Sequence, residues 1–251
     1  MRPRGAAEAL LALHGQGAQG DFRNAALWQW LVPRIPPDAR VLDAGAGTGY
    51  MARLLGRRGN PTVALEPDPT LADFAEQALA HEALEVSVVR DPLGAGSLSR
   101  LGTFERILCL DVLGYVRDEA PLLGELATML EPGGRLLVSA PALPFLLGKR
   151  DVSLGVLRRY TPARLRRVLT AAGLKVHELR FWNAAGVLPF AIAERLLRRP
   201  LPMRLRLPGG GRLRRLTQAA LRRLLELEAR TWVPLGLTLL ASCGTGSRRR
   251  R

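Results

Sequence analysis

The apolar residues of the chain recur in two alternating patterns. Short continuous apolar runs bounded by Gly, Pro or acidic residues predict buried strands, whereas apolar residues three or four positions apart predict amphipathic helices. The two patterns alternate through most of the sequence, which is typical of a parallel sheet with helices on both faces. The strands are predicted at 41–42, 62–66, 85–89, 104–110, 135–139, 175–181 and 235–243, and the helices at 22–35, 51–55, 69–80, 121–130 and 162–173.

The stretch from Ala184 to Arg230 interrupts this alternation. Its leucines stand at helical spacing with arginines opposite them, and the breaker PGGG at 208–211 separates two helical halves. We predict a helical insertion before the last strand, which either covers the functional site as a cap or rests on an anionic membrane. The alternative is a pair of surface helices whose leucines pack on the sheet while their arginines remain hydrated.

The strongest chemical signal is the stretch RVLDAGAGTGYMARLL at 40–55. A short apolar strand ends at Asp43, and Gly45, Gly47 and Gly49 form a turn that leads into a helix. A turn of this kind lets a nucleotide approach bare backbone N–H groups at a helix N-terminus. The stretch therefore predicts a nucleotide-like ligand.

The spacing of the turn excludes two ligand classes. The dinucleotide fingerprint requires glycine where this chain has Tyr50, and no Gly-Lys-Ser/Thr follows as a P-loop requires. The second strand ends in Glu66, 23 residues beyond Asp43. That interval is close to the offset of about 20 at which an acidic side chain meets a ribose in such folds, so Glu66 is predicted to accept hydrogen bonds from both ribose hydroxyls.

The sequence is strongly basic, with 37 Lys and Arg against 22 Asp and Glu and a net charge of +15. This charge favours contact with nucleic acid, an anionic membrane or an acidic substrate, although a coding bias toward arginine explains the excess equally well. Cys109 and Cys243 lie in apolar runs and are predicted to be buried thiols in a reducing, cytoplasmic compartment. Glu8 interrupts the apolar stretch near the N-terminus, so no secretion signal is predicted, and no apolar run approaches the roughly 20 residues of a membrane span.

The pattern D-x-G-x-G-x-G after an apolar strand, with Pro-Gly-Gly at 132–134 before the fifth strand, resembles the class I S-adenosylmethionine-dependent methyltransferases. The resemblance implies an α/β, Rossmann-like fold in a single domain over 1–251. Its seven-stranded sheet would have the order 3-2-1-4-5-7-6, with the last strand antiparallel. It also implies S-adenosylmethionine as the cofactor and no metal. The implied cofactor-binding residues are Asp43, Gly45, Gly47, Gly49, Glu66, Asp91 and Asp111, with Asp91 accepting from the adenine amino group.

The segment from Asp151 to Tyr160 resembles a D-x-x-x-G-H-x-R-R-Y pattern found in a subgroup of small-molecule methyltransferases. Val156 replaces the usual His of that pattern. If that His is the general base, this chain lacks it, and Asp151 and Tyr160 become the predicted catalytic residues. Tyr115 is a further candidate, because it stands in place of the His in a Leu-Glu-His sequence that often follows the fourth strand in the family.

We therefore expect methyl transfer to an oxygen or nitrogen of a small-molecule or lipid-linked acceptor, with peripheral contact to an anionic membrane as an additional expectation. An RNA methyltransferase is an alternative that the charge favours. However, the chain lacks an Asn/Asp-Pro-Pro-Tyr/Phe sequence and a recognisable RNA-binding module, so nucleic acid is not the expected partner. The other alternative is a cofactor-binding scaffold without catalysis. Residues 1–20 are predicted to be mobile, 184–230 to form the cap, and 246–251 to be a solvated basic tail.

Overall fold

The computed structural model describes residues 7, 8, 10, 11, 21–93, 98–197 and 211–245. The basic tail predicted at 246–251 lies outside these residues, as does most of the N-terminal segment predicted to be mobile. The described residues form one open sheet with apolar layers on both of its faces.

The sheet contains seven strands: β1 (Val41–Ala44), β2 (Thr62–Leu65), β3 (Val86–Val89), β4 (Phe104–Leu110), β5 (Leu130–Pro141), β6 (Leu174–Trp182) and β7 (Thr238–Thr245). Their order is β3-β2-β1-β4-β5-β7-β6, and β7 runs antiparallel to both β5 and β6. The predicted fold, strand order and antiparallel last strand are therefore confirmed. The other six strands point the same way, so their carboxyl ends share one edge, where ligands bind in sheets of this kind.

The fifth strand is longer than predicted. It begins at Leu130, so residues 131–134, which the sequence predicts as a turn, lie within it. Phe104 pairs with Leu130, whereas Arg106 pairs with Arg135, so the Pro-Gly-Gly residues are accommodated as an irregularity in the strand register. A local turn signal cannot reveal this, because the pairing partner comes from a distant strand.

Helices cover the sheet in the order α1 (Phe22–Leu31), α2 (Tyr50–Arg57), α3 (Pro69–Ala80), α4 (Glu119–Thr128), α5 (Lys149–Ser153), α6 (Pro162–Ala171), α7 (Val187–Ala191) and α8 (Arg212–Glu228). The Asp21 carboxylate caps α1 by accepting from the backbone N–H groups of Arg23 and Asn24. Thr161 caps α6, with Pro162 at its first position, as the sequence predicts. Side-chain oxygens of Asp21 and Thr161 therefore set where α1 and α6 begin.

The apolar core lies in two layers, one on each face of the sheet. One layer includes Phe104 and Leu165, and the other includes Trp30 and Trp182. Cys109 and Cys243 are fully buried, as predicted. Burial raises the pKa of each thiol to about 12, so both behave as small apolar side chains.

The predicted insertion is helical at 187–196 and 212–228, with turns at its ends. We use the word cap for residues 183–197 and 211–237, which connect β6 to β7. Within it, α7 continues directly into a wider π-helical turn at Ile192–Leu196. α8 packs against α1, so the cap lies beside the carboxyl edge of the sheet.

Two polar contacts fix α8 to the end of β6. The indole N–H of Trp182 donates to the carbonyl oxygen of Leu225 at 3.0 Å. The Glu228 carboxylate, which is buried, accepts from the backbone N–H groups of Ala184 and Ala185 at 2.8 and 3.2 Å. The cap is therefore attached to the sheet by buried hydrogen bonds as well as by apolar packing.

Candidate functional site

A cavity of about 430 Å³ opens at the carboxyl edge of the sheet, between the ends of β1 and β4 and the cap. Its polar wall contains Asp43, Asp111 and the glycine turn after β1. Its apolar wall contains Val156, Phe190 and Leu225, which come from the loop after β5 and from the cap. A concave site with one polar and one apolar wall suits a small organic ligand with both characters.

The glycine turn has a backbone that side chains would distort. Gly45, Gly47 and Gly49 have φ angles of +84°, +60° and +74°, a region that L-residues rarely adopt. A Cβ atom at Gly45 would also lie 2.5 Å from Cγ2 of Val112. Gly45 and Gly47 line the cavity, whereas Gly49 precedes α2 and supports the turn from outside the cavity wall.

Glu66 supports the glycine turn from behind. Its carboxylate is 1% exposed and accepts from the backbone N–H groups of Gly47 at 2.7 Å and Asp68 at 3.1 Å. Glu66 does not belong to the cavity wall. The ribose contact predicted for Glu66 stays a prediction. In the structure, the Glu66 carboxylate accepts a hydrogen bond from the glycine turn instead.

Asp111 lies at the tip of β4 with a φ of +55°, unusual for a residue other than glycine. The Ser139 hydroxyl donates to its carboxylate at 2.9 Å. The Arg23 guanidinium, from α1, forms a bidentate pair with the same carboxylate at 2.8 and 3.2 Å and reaches the Thr238 hydroxyl at 3.3 Å. Asp111 is thus held in place by Ser139 and Arg23, and Arg23 is itself bonded to Thr238.

Arg23 also belongs to the cavity wall, although no motif in the sequence marks it as a site residue. Burial lowers the pKa of its guanidinium, but the charge and hydrogen bonds of Asp111 outweigh burial and raise it. The only sequence signal was the position of Arg23 in the helix predicted at 22–35. Nothing local indicated its pairing with a carboxylate 88 residues away.

Asp91 lies apart from the cavity. Its carboxylate pairs with the guanidinium of Arg100, and it does not belong to the cavity wall. The structure therefore brings Asp43, Gly45, Gly47 and Asp111 together but leaves Asp91 outside their cluster. The adenine contact of Asp91 stays a prediction from the family resemblance.

Asp151 lines the cavity but is engaged by a buried arginine. Its two carboxylate oxygens accept from Nε and Nη2 of Arg159 at 2.7 and 2.9 Å, and one also accepts from the Gly148 N–H at 3.2 Å. Arg159 donates further to the carbonyl of Ala142 and lies over the ring of Phe190 at 4.6 Å. Asp151 and Arg159 are 5% and 6% exposed, so the pair joins the loop after β5 to the cap as a buried structural unit.

Tyr160, predicted as a catalytic residue, lies in the core, and a catalytic role for it stays a prediction. It is fully buried, and its hydroxyl lies 2.8 Å from a Glu119 carboxylate oxygen and 3.0 Å from the Leu113 carbonyl oxygen. Burial and the neighbouring carboxylate raise the pKa of this phenol, which opposes formation of the phenolate. Tyr160 does not belong to the cavity wall.

Val156 and Tyr115, at the two positions where the family pattern carries His, do line the cavity. The structure thus brings both replaced positions to the site while it gives Asp151 and Tyr160 other partners. Among the residues that the structure describes, no group of three or more His, Cys, Asp or Glu side chains is arranged to hold a metal ion.

Residues 19–179 match the family model described as a methyltransferase domain. The chain is 28% identical over 104 residues to a ubiquinone biosynthesis O-methyltransferase of Xanthomonas axonopodis pv. citri, covering 41% of this chain and 44% of that protein. It is 32% identical over 130 residues to a tRNA U34 carboxymethyltransferase of Shewanella pealeana, covering 51% of this chain and 39% of that protein. The chain thus spans less than half the length of these two relatives.

Solved structures show the same fold. A TehB-like S-adenosylmethionine-dependent methyltransferase of Corynebacterium glutamicum superposes with a TM-score of 0.55 at 18% identity, over 94% of this chain and 92% of that one. The glycopeptide N-methyltransferase MtfA in complex with S-adenosyl-L-methionine superposes with a TM-score of 0.58 at 15% identity, over 90% and 95% of the chains. At these identities the likeness concerns the fold alone.

Proposed function

Since the chain belongs to the methyltransferase domain family, we propose that it transfers a methyl group from S-adenosylmethionine to an oxygen or nitrogen atom of a small-molecule or lipid-linked acceptor. The observation that carries this proposal is the single cavity that joins the glycine turn and Asp111 to the apolar cap wall. One cavity can thus hold a polar cofactor and an apolar acceptor side by side.

The polar wall fits S-adenosylmethionine. Glycine is required at Gly45 because a Cβ there would collide with Val112, and the turn consequently presents bare backbone to the cavity. Asp43, Gly47 and Asp111 complete the surface that would hold the cofactor. When bound, the cofactor supplies a methyl group on a sulfonium, which is already activated for displacement.

The protein's part in such a displacement is to place two substrates in line and to exclude water. The side chains of Leu154, Phe190 and Leu225 form an apolar wall that suits an acceptor with an apolar body. Asp151 acts on this wall as a positioning residue, because its pair with Arg159 orders the loop that carries Leu154 and Val156. We assign no proton transfer to Asp151 or Tyr160.

RNA methylation is the second candidate. Two observations favour it: the net charge of +15 and the relative whose name refers to tRNA U34. The aliphatic side chains of Leu154, Val156 and Leu225 in the cavity wall favour a small or lipid-linked acceptor instead. Phe190 and Arg150 in the same wall are of the types that contact bases and phosphates.

Transfer of a tritiated methyl group tests the proposal. The purified chain would be incubated with labelled S-adenosylmethionine and either an organic-solvent extract of cells or bulk tRNA. We expect label in the organic-soluble fraction. Label confined to tRNA would establish the RNA alternative, and cofactor binding without transfer to either pool would favour the non-catalytic scaffold.

A further inference from the structure

The exposed apolar side chains are confined to one region of the molecule. Thirteen large hydrophobic residues are exposed among those that the structure describes, and all thirteen lie between Phe145 and Leu235. The described residues from 21 to 144 contribute none. The six most exposed are Phe145, Val152, Leu188, Leu196, Leu216 and Trp232, at 60–75%.

These residues belong to the segments that follow the carboxyl ends of β5 and β6. Residues 145–157 follow the carboxyl end of β5, and the cap connects the carboxyl end of β6 to the start of β7, which pairs with it. The same segments also supply the apolar cavity wall. We use the name cap face for the exposed side chains of residues 145–157, 188–197 and 212–235. An apolar surface of this kind is a typical sign of an interaction site.

Two helical rows organise the cap face. On α8, the buried Leu225 faces the core, and the opposite side carries Leu216, Ala220, Arg223 and Leu227, all exposed. Their spacing of four, three and four residues places them in one row along the helix. In the segment from α7 into the π-helical turn, Leu188, Ile192 and Leu196 form a second exposed row. A face turned only toward water would carry polar residues at such positions.

The charges of the cap face are almost all positive. Of the acidic residues in these segments, Asp151, Glu194 and Glu228 are buried, and Glu226 pairs at 2.7 Å with Arg222 of the same face. Five exposed arginines lie on or beside α8, namely Arg212, Arg215, Arg222, Arg223 and Arg230. Leucine rows flanked by arginines, with an exposed tryptophan at the edge, are the composition of helices that lie in the interface of an anionic bilayer.

We propose that the cap face docks on an anionic lipid bilayer, so that a lipid-borne acceptor enters the cavity from the membrane. Charge complementarity selects the anionic surface, and the exposed leucines supply the apolar contact. No helix among the described residues is long and apolar enough to cross a membrane. Docking itself follows from the cap face alone, whereas acceptor entry rests on the proposed function.

Vesicle flotation tests the docking. The chain would be mixed with phosphatidylcholine vesicles, with or without phosphatidylglycerol, at low and high salt. We expect binding that requires phosphatidylglycerol and weakens as salt rises. Equal binding to both vesicle types, or no binding to either, would overturn the proposal.

A pair of charge-matched variants locates the surface. Arg215→Gln/Arg223→Gln should reduce partitioning onto anionic vesicles about thirtyfold, because each basic group near such a membrane contributes about a fivefold factor. The control Arg166→Gln/Arg167→Gln removes the same charge from exposed positions on α6, away from the cap face, and should bind like the wild type. An equal loss in both variants would mean that only the net charge matters and would overturn the proposed surface.

The apolar contribution is tested by Leu216→Ser/Leu227→Ser. We expect this variant to bind more weakly, including at high salt, while its melting temperature stays that of the wild type. Unchanged binding would overturn the proposal. A wild-type dimer in sedimentation velocity that Leu216→Ser/Leu227→Ser converts to a monomer would also overturn it, because a second copy would then cover the leucine rows. Gly45→Val, which is expected to lose cofactor binding, should still bind vesicles, so failure of docking and failure of the proposed function are distinguishable.

Discussion

The buried pair of Asp151 and Arg159 makes the structural role of Asp151 measurable. The Arg159 residue is only 6% exposed. Replacing Asp151 by Ala would remove both carboxylate acceptors of the Arg159 guanidinium and leave it the hydrogen bond to the Ala142 carbonyl. Removing one partner of a buried ion pair costs about 3–5 kcal/mol. In a chain of this size each kcal/mol corresponds to roughly 2–4 °C, so the melting temperature should fall by about 6–20 °C.

The exposed pair of Arg222 and Glu226 provides the matched control, because it too joins a carboxylate and a guanidinium at 2.7 Å. Glu226→Ala should change stability by only about 0.3–0.5 kcal/mol, since water screens the pair. The double variant Asp151→Leu/Arg159→Met should recover much of the stability that Asp151→Ala loses, because no unpaired charge remains. Calorimetric melting of the four proteins, with the wild type included, decides. An Asp151→Ala protein that melts like the wild type but has lost turnover would refute the structural role and restore Asp151 as the general base.

Four further outcomes concern Tyr160, Glu66 and the two cysteines. Tyr160→Phe should cost about 1–3 kcal/mol of stability, because the buried oxygens of Leu113 and Glu119 lose their donor. Its turnover should stay within about threefold of the wild type. A stable but inactive variant would show that Tyr160 acts in the active site. Glu66→Ala should weaken binding of the demethylated cofactor by about 1–3 kcal/mol, because the N–H of Gly47 loses its acceptor, and an unchanged dissociation constant in calorimetry would contradict this role. Cys109 and Cys243 should resist a thiol reagent at pH 9 until the chain unfolds, because burial holds their pKa at about 12. Since the unfolded thiols ionise near pH 8.5, the unfolded state binds fewer protons than the folded state between that pH and about 12, so stability falls as pH rises. The denaturant concentration at the unfolding midpoint should therefore be lower at pH 10 than at pH 8.

The sequence predicts the parts of the molecule that depend on local pattern. The glycine turn and the acidic strand tips at Asp43 and Asp111 follow from residues that are close in the chain, whereas the strand order comes from the family resemblance. The sequence predicts the turn at Gly45 because the backbone conformation there nearly requires glycine. Family resemblance supplies the antiparallel last strand, which no local pattern specifies.

The parts that the sequence does not predict depend on long-range side-chain contacts. Asp151 and Tyr160 belong to a segment that resembles a catalytic pattern, yet their partners are a buried arginine and Glu119. Arg23 reaches Asp111 only because α1 packs beside β4 in the folded chain. Hydrophobic periodicity indicates which faces are buried, but it does not identify which charged groups meet there.

The central claim is that the glycine turn binds S-adenosylmethionine, and calorimetric titration with the demethylated cofactor tests it most directly. The wild type should bind, and Gly45→Val should not, because the valine would collide with Val112 and distort a backbone with φ +84°. Gly124→Val is the matched control, since a Cβ at Gly124, on α4, would have no neighbour within 4 Å. The account predicts binding by the wild type and the control alone. Equal affinity in all three proteins, or binding by none, would contradict it.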